Sequence, residues 1–108
     1  MEINYTDVFR EVDAISKGLR KSIKHMPRYN RYNEGDRIIC LLLDLKVSVR
    51  LACKDESFRL DSKELYRMLV TLETLIDECL EDGSLLLKGE YTIHEPRMRL
   101  MDLLGKFQ

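Results

Sequence analysis

The chain has 108 residues, 44% hydrophobic and 34% charged, which is enough apolar material for one packed domain and too much for a disordered tail. Five glycines and two prolines speak against a turn-rich all-β sandwich, and no run approaches the ~20 uncharged apolar residues of a spanning helix. The net charge of −1 hides a split: Lys17 to Arg37 holds seven basic residues against two acidic ones, whereas Glu73 to Glu95 holds seven acids against Lys88 alone.

Met1 to Arg10 carries Glu2 and Asp7 and no apolar core, so it does not read as a secretory signal. The first apolar series is Val8, Phe9, Val12, Ile15, Leu19, Ile23 and Met26. Spacings of three and four predict an amphipathic helix, with Asn4 or Thr6 as its cap. Pro27 ends it, because the residue before a proline is pushed out of the α region. Pro27 to Gly35 holds a proline, two asparagines and a glycine, and so reads as a connection.

Asp36 to Lys54 carries two patterns. Leu45, Val47, Val49 and Leu51 alternate with Lys46, Ser48 and Arg50, as in a strand. Ile38, Ile39, Leu42, Leu45, Val49, Ala52 and Cys53 fit a helical face instead. The absence of any breaker over about 19 residues favours the helix, since strands are far shorter. That helix has a second apolar stripe, Cys40, Leu43, Val47 and Leu51, opposite the first. A helix apolar on two sides is either central in its domain or covered by a neighbouring subunit.

Asp55 to Leu60 is a polar connection. Asp61 and Glu64 then stand in the relation of a capping box before Leu65, Met68, Leu69, Leu72, Leu75, Ile76, Cys79 and Leu80. Gly83 is placed to end that third helix. Leu85 to Ile93 reads as a loop or a poor hairpin. Thr92 and Glu95 form another capping-box pattern, and Pro96 is tolerated at a helix start. Met98, Leu100, Met101, Leu103, Leu104 and Phe107 predict a short fourth helix. The expected fold is therefore all-α: an antiparallel up-and-down four-helix bundle formed by residues 1–108 as one domain.

No phosphate-binding glycine loop, dinucleotide fingerprint, zinc-protease motif or nucleophile elbow occurs. His25 lies among Lys24 and Arg28 and reads as a surface residue, while His94, beside Glu95, reads as a capping residue at a helix start. Cys40, Cys53 and Cys79 lack C-x-x-C spacing and read as reduced core thiols of a cytoplasmic protein. The acids of the third helix lack an E-x-x-H partner set. No catalytic residue, metal site, cofactor, small-molecule substrate or membrane partner is expected.

One segment stands above this background. Lys17, Arg20, Lys21, Lys24, Arg28 and Arg31 occur without an intervening acid, and Tyr29 and Tyr32 interleave with the arginines. Lysines neutralise phosphates, arginines grip them bidentately, and tyrosines stack on unpaired bases. Lys17, Arg20, Lys21, Lys24, Arg28, Arg31 and Tyr29 are accordingly the candidate nucleic-acid contacts. A solvated helix face would show the same lysines, and tyrosines that seat a loop on the bundle would show the same rings.

The run Pro27-Arg28-Tyr29-Asn30-Arg31-Tyr32-Asn33-Glu34-Gly35-Asp36-Arg37-Ile38 resembles the junction of helices one and two in a family of small bacterial four-helix proteins. These are the accessory variability proteins of diversity-generating retroelements, with their relatives encoded in intervening sequences of 23S ribosomal RNA genes. Pro27, Arg31, Tyr32, Gly35 and Ile38 match the pattern, and Ala52 fits near the end of helix two. Glu34 departs from it, standing where an apolar residue is expected.

The resemblance implies a homopentameric barrel of four-helix bundles. Its retroelement members bind RNA or DNA together with a reverse transcriptase. Two functions follow as expectations. One is a non-enzymatic, oligomeric nucleic-acid-binding accessory protein, with Cys40, Leu43, Val47 and Leu51 at the subunit interface. The other is a protein-interaction or structural module of the ribosomal-insertion type, without a nucleic-acid role, which docks through its acidic third helix.

Overall fold

Helix α1, Tyr5–Ile23, starts at Asn4, whose side-chain oxygen accepts from the Thr6 and Asp7 amides at 3.0 and 3.2 Å. The computed structural model describes residues 3–55 and 57–107, so Met1 and Glu2 of the N-terminal signal reading lie outside the described residues. Val8, Val12, Ile15, Leu19 and Ile23 form one buried stripe along α1, with Phe9 half-buried at its side.

The connection expected from Pro27 to Gly35 is instead helical. Pro27 caps a short α-turn, Arg28–Asn30, which passes through a π-helical turn, Arg31–Gly35, into helix α2, Asp36–Lys54. Proline suits this place because a helix's first residues need no N–H partner. The π-turn holds an extra residue, and Gly35 faces inward there: a Cβ on Gly35 would stand 3.2 Å from Ile23 Cγ2 and 3.4 Å from Met26 Sδ. A side chain at position 35 would hold the long helix away from the end of α1. From Arg28 to Lys54 the helix runs without a break, about 40 Å at 1.5 Å per residue, and this accounts for the 42 Å long axis of the molecule.

Leu45 to Leu51 is helix, not strand. Ile38, Leu42, Leu45 and Val49 face the core, while Ile39 and Ala52 are half-buried and Cys53 is exposed. Helix α3, Ser62–Glu81, starts at Asp61, which accepts from the Lys63 amide at 3.0 Å. The expected capping box does not form, because Asp61 takes the amide of Lys63 and not that of Glu64, and Glu64 turns to Arg67, 2.9 Å away. Gly83 follows the helix at φ +80°, as a C-terminal glycine does.

Residues 84–93 are a loop with one backbone bond between its ends, Ile93 N–H to Leu86 O at 2.9 Å. Buried Leu85 and Ile93 anchor it. Helix α4, His94–Gly105, begins at Ile93 with no side-chain cap. The expected Thr92–Glu95 box and a capping His94 are therefore both absent. The Thr92 carbonyl instead accepts from Ser22 Oγ at 3.1 Å, and Glu95 pairs with Arg99 at 3.4 Å.

The four helices form an all-α up-and-down bundle. Helix α1 packs on α2 and α4, and α3 closes the square against the same two, which places α2 and α4 across the bundle from each other. The contact of α1 with α4 is closest at Gly18, where a Cβ would meet the Pro96 ring at 3.0–3.3 Å. Ion pairs join helices at the rim: Asp13 with Lys46 at 3.2 Å, and Glu11 with Arg99 at 3.2 Å. Tyr5 donates to the Leu60 carbonyl at 2.8 Å and fastens the α2–α3 connection to α1. Among the described residues no helix is long and apolar enough to cross a membrane.

Candidate nucleic-acid interface

At 100° per residue, Lys17, Arg20, Lys21 and Lys24 fall within about 100° of one another on α1. All four are exposed, on the side turned away from Val12, Ile15 and Leu19. The electrostatics divide them. Lys17 Nζ lies 3.1 Å from Asp13, which Lys46 also contacts, so Lys17 is the one lysine of the group with a carboxylate partner, and it shares that partner. These two ammonium groups hold the Asp13 carboxyl below its ordinary value, through hydrogen bonds from Lys17 first and Lys46 second. Arg20 is steered by its Nε, which donates to Ser16 Oγ at 3.3 Å. Among the described residues, no carboxylate pairs with Arg20, Lys21, Lys24, Arg28 or Arg31.

The helical turn after Pro27 brings Arg28 and Arg31 beside the end of α1. Arg31 Nη1 donates to the Lys24 carbonyl at 3.3 Å, which ties the π-turn to the last basic residue of that helix. The guanidinium carbons of Arg28 and Arg31 stand 5.9 and 5.2 Å from the Tyr32 ring centroid. Tyr32 thus organises the two arginines. Tyr29 does not seat a loop: it is 76% exposed and projects into solvent. The sequence places Arg28 and Arg31 on a connection, whereas both lie on a helix of fixed direction.

The carboxyl end of α3 reaches the same end of the bundle. Asn30 Nδ2 donates to Glu34 at 3.3 Å and to Asp82 at 3.5 Å. Glu78, Glu81 and Asp82 are exposed there, so basic and acidic surfaces adjoin across Asn30. His25 is a surface residue as expected, and its ring is stacked on Tyr91 with centroids 3.4 Å apart and planes at 14°. No sequence signal joins two residues so far apart in the chain.

The second apolar stripe is bare. Leu43 is 54% exposed, Val47 51% and Leu51 42%, and Cys40 is exposed beside them. Helix α2 is therefore not central in its own bundle, because α1 and α3 cover only the face bearing Ile38, Leu42, Leu45 and Val49. Two of the three expected core thiols are corrected by this packing: Cys40 and Cys53 are exposed, and only Cys79 is buried. Burial raises the Cys79 thiol above its ordinary value. On the opposite side, Met98 and Met101 of α4 are exposed rather than in the core. Met101 lines a groove between α3 and α4 with Tyr66, Val70 and Leu104.

No family model, no curated protein and no solved structure matches this chain.

Proposed function

We propose that the protein is a non-enzymatic, oligomeric nucleic-acid-binding accessory protein of the cytoplasm. The observation that carries this reading is the group Arg20, Lys21, Lys24, Arg28 and Arg31. These cations form one continuous surface, lack carboxylate partners among the described residues, and stand beside exposed Tyr29. Cations left without internal partners are available to phosphates, and arginines held on a helix meet them with little loss of freedom.

Assembly multiplies this modest patch. The bare stripe Cys40, Leu43, Val47 and Leu51 lies on α2, and the groove between α3 and α4, lined by Met101, Tyr66, Val70 and Glu73, lies on another side. Two different surfaces on separate sides suit head-to-tail contacts that close into a ring. The resemblance of the α1–α2 junction to retroelement accessory proteins makes five copies the expected number and a reverse transcriptase the expected protein partner. A ring would set several such patches into one field, although each chain is nearly neutral.

The exposed acids Glu78, Glu81 and Asp82 support a second reading, a protein-interaction module of the ribosomal-insertion type that docks through the end of α3. Filter binding of RNA and DNA to the wild type and to Lys21→Glu/Lys24→Glu separates the two. The accessory-protein reading expects binding at low salt that the double reversal weakens for every sequence, because phosphate contacts carry no base information. Absence of binding by the wild type at low salt would leave the docking module.

A further inference from the structure

Tyr91 has the backbone of a residue under strain. Its φ is +58°, in the left-handed region, where an aromatic side chain is rare. Glycine would take this conformation freely, and Gly89, two residues earlier, does so at φ +96°. The outlier aims a large ring at the end of α1. One face of Tyr91 lies against His25, and the residue stays 54% exposed. His25 adds no hydrogen bond to it, so the pair is joined by ring stacking alone.

The neighbours of that stack are those of the basic surface. His25 follows Lys24, whose carbonyl holds Arg31, and Arg31 lies over Tyr32 beside Arg28. The Tyr91–His25 stack therefore shares the bundle end with the Lys24 carbonyl, Arg31, Tyr32 and Arg28, and exposed Tyr29 lies on the same short helical turn as Arg28. Glu90 lines the cleft beside His25 and Tyr91 and repels phosphate from it. Phosphates then belong over Lys21, Lys24, Arg28 and Arg31, and bases over Tyr91.

Within the nucleic-acid reading above, on which this rests, we infer that the ligand is a single strand, with an unpaired base stacked on the outer face of Tyr91. A duplex keeps its bases stacked on one another and has no use for an exposed ring. The strain at Tyr91 is explained by the same role, since a stacking platform must project from the loop instead of folding into it.

The test uses Tyr91→Gly, which relieves the left-handed backbone and removes only the ring, and Tyr91→Phe, which retains the ring. Fluorescence anisotropy follows labelled oligo-thymidine DNA, oligo-uridine RNA and a mixed-sequence duplex at one low salt concentration. Single-strand affinity should fall about 5- to 150-fold in Tyr91→Gly. It should return in Tyr91→Phe, while duplex affinity stays within about twofold of wild type throughout. The two single-strand arms show whether ribose or deoxyribose is preferred. Equal losses on single strand and duplex, or no loss on either, would overturn the inference while wild-type binding keeps the broader reading. No binding by the wild type to any probe would overturn both.

Discussion

Replacing Val47 by glutamate puts a charge at the centre of the bare α2 stripe. In an isolated protomer the change is mild. Val47 is 51% exposed, its helix tolerates glutamate well, and a surface substitution of this kind moves stability by about 0.5 kcal/mol or less. In an oligomer that covers the stripe the same change is severe. Burying the open halves of Leu43, Val47 and Leu51 contributes about 2–4 kcal/mol for each stripe covered, taking half of the 1.5–3 kcal/mol of a fully buried aliphatic side chain. An unpaired carboxylate in that dry contact costs several kcal/mol, and even 3 kcal/mol weakens association about 100-fold. Light scattering across micromolar concentrations, with circular dichroism to follow the helices, reads both effects. The expected result is a wild type several chains in mass and a Val47→Glu protein that is helical, of unchanged thermal stability as a protomer, and one chain in mass. A wild type that stays monomeric, or a Val47→Glu oligomer of wild-type mass, would refute the reasoning from the exposed stripe.

If Arg20, Lys21, Lys24, Arg28 and Arg31 each neutralise one phosphate, the log–log salt slope per protomer is about −3.5 on single strands. The Lys21→Glu/Lys24→Glu protein should show about −2 or shallower in the same filter-binding titration, and equal slopes would show that these lysines do not touch the ligand. Gly18→Ala should be less stable than Gly105→Ala by up to about 2 kcal/mol in urea melts. A Cβ at 18 meets Pro96 at 3.0 Å whereas one at 105, the last residue of α4, meets nothing within 4 Å, and the propensity gain of up to about 1 kcal/mol at mid-helix 18 offsets only part of that clash. The Asp13 carboxyl titrates below its ordinary value of 3.8, so its stabilisation is present above that pH and disappears as the pH falls through the lowered value. Asp13→Asn should therefore cost up to about 1 kcal/mol at neutral pH, as a partly exposed pair does. In guanidinium melts that cost should shrink as the pH falls through the lowered value and Asp13 takes up its proton.

Much of the architecture is local and so is legible in the chain. The three-and-four spacing of Val8, Val12, Ile15 and Leu19, and of Leu65, Leu69, Leu72 and Ile76, predicts the helices and their buried faces, because a helix must put such residues on one side. The end of α3 at Gly83 follows from a backbone conformation that glycine adopts easily. The second stripe on α2 is also visible in sequence, but its exposure is not: spacing shows that two faces are apolar, and only the packed neighbours decide which one is covered. The same holds for the cysteines: Cys53 sits at a core-like spacing yet is exposed at the edge of the α1–α2 contact, where its Sγ lies 4.0 Å from Thr6 Oγ1.

The candidate site divides in the same way. The basic run and its tyrosines are plain in the sequence, which determined which charges are available. Tertiary structure alone decided how they are used. Pro27 and the asparagines suggest a connection, but the helix continues through them, because the π-turn absorbs one extra residue and lets Gly35 approach Ile23. That places Arg28 and Arg31 beside Lys24 on a rigid surface. Asp13 gives Lys17 a carboxylate partner that the other cations of the run lack, and shares it with Lys46 on another helix. The His25–Tyr91 stack joins residues distant in sequence, brought together only when the 84–93 loop folds back over the end of α1. Periodicity determines what each helix buries, whereas contacts between elements depend on how the finished helices are placed against one another.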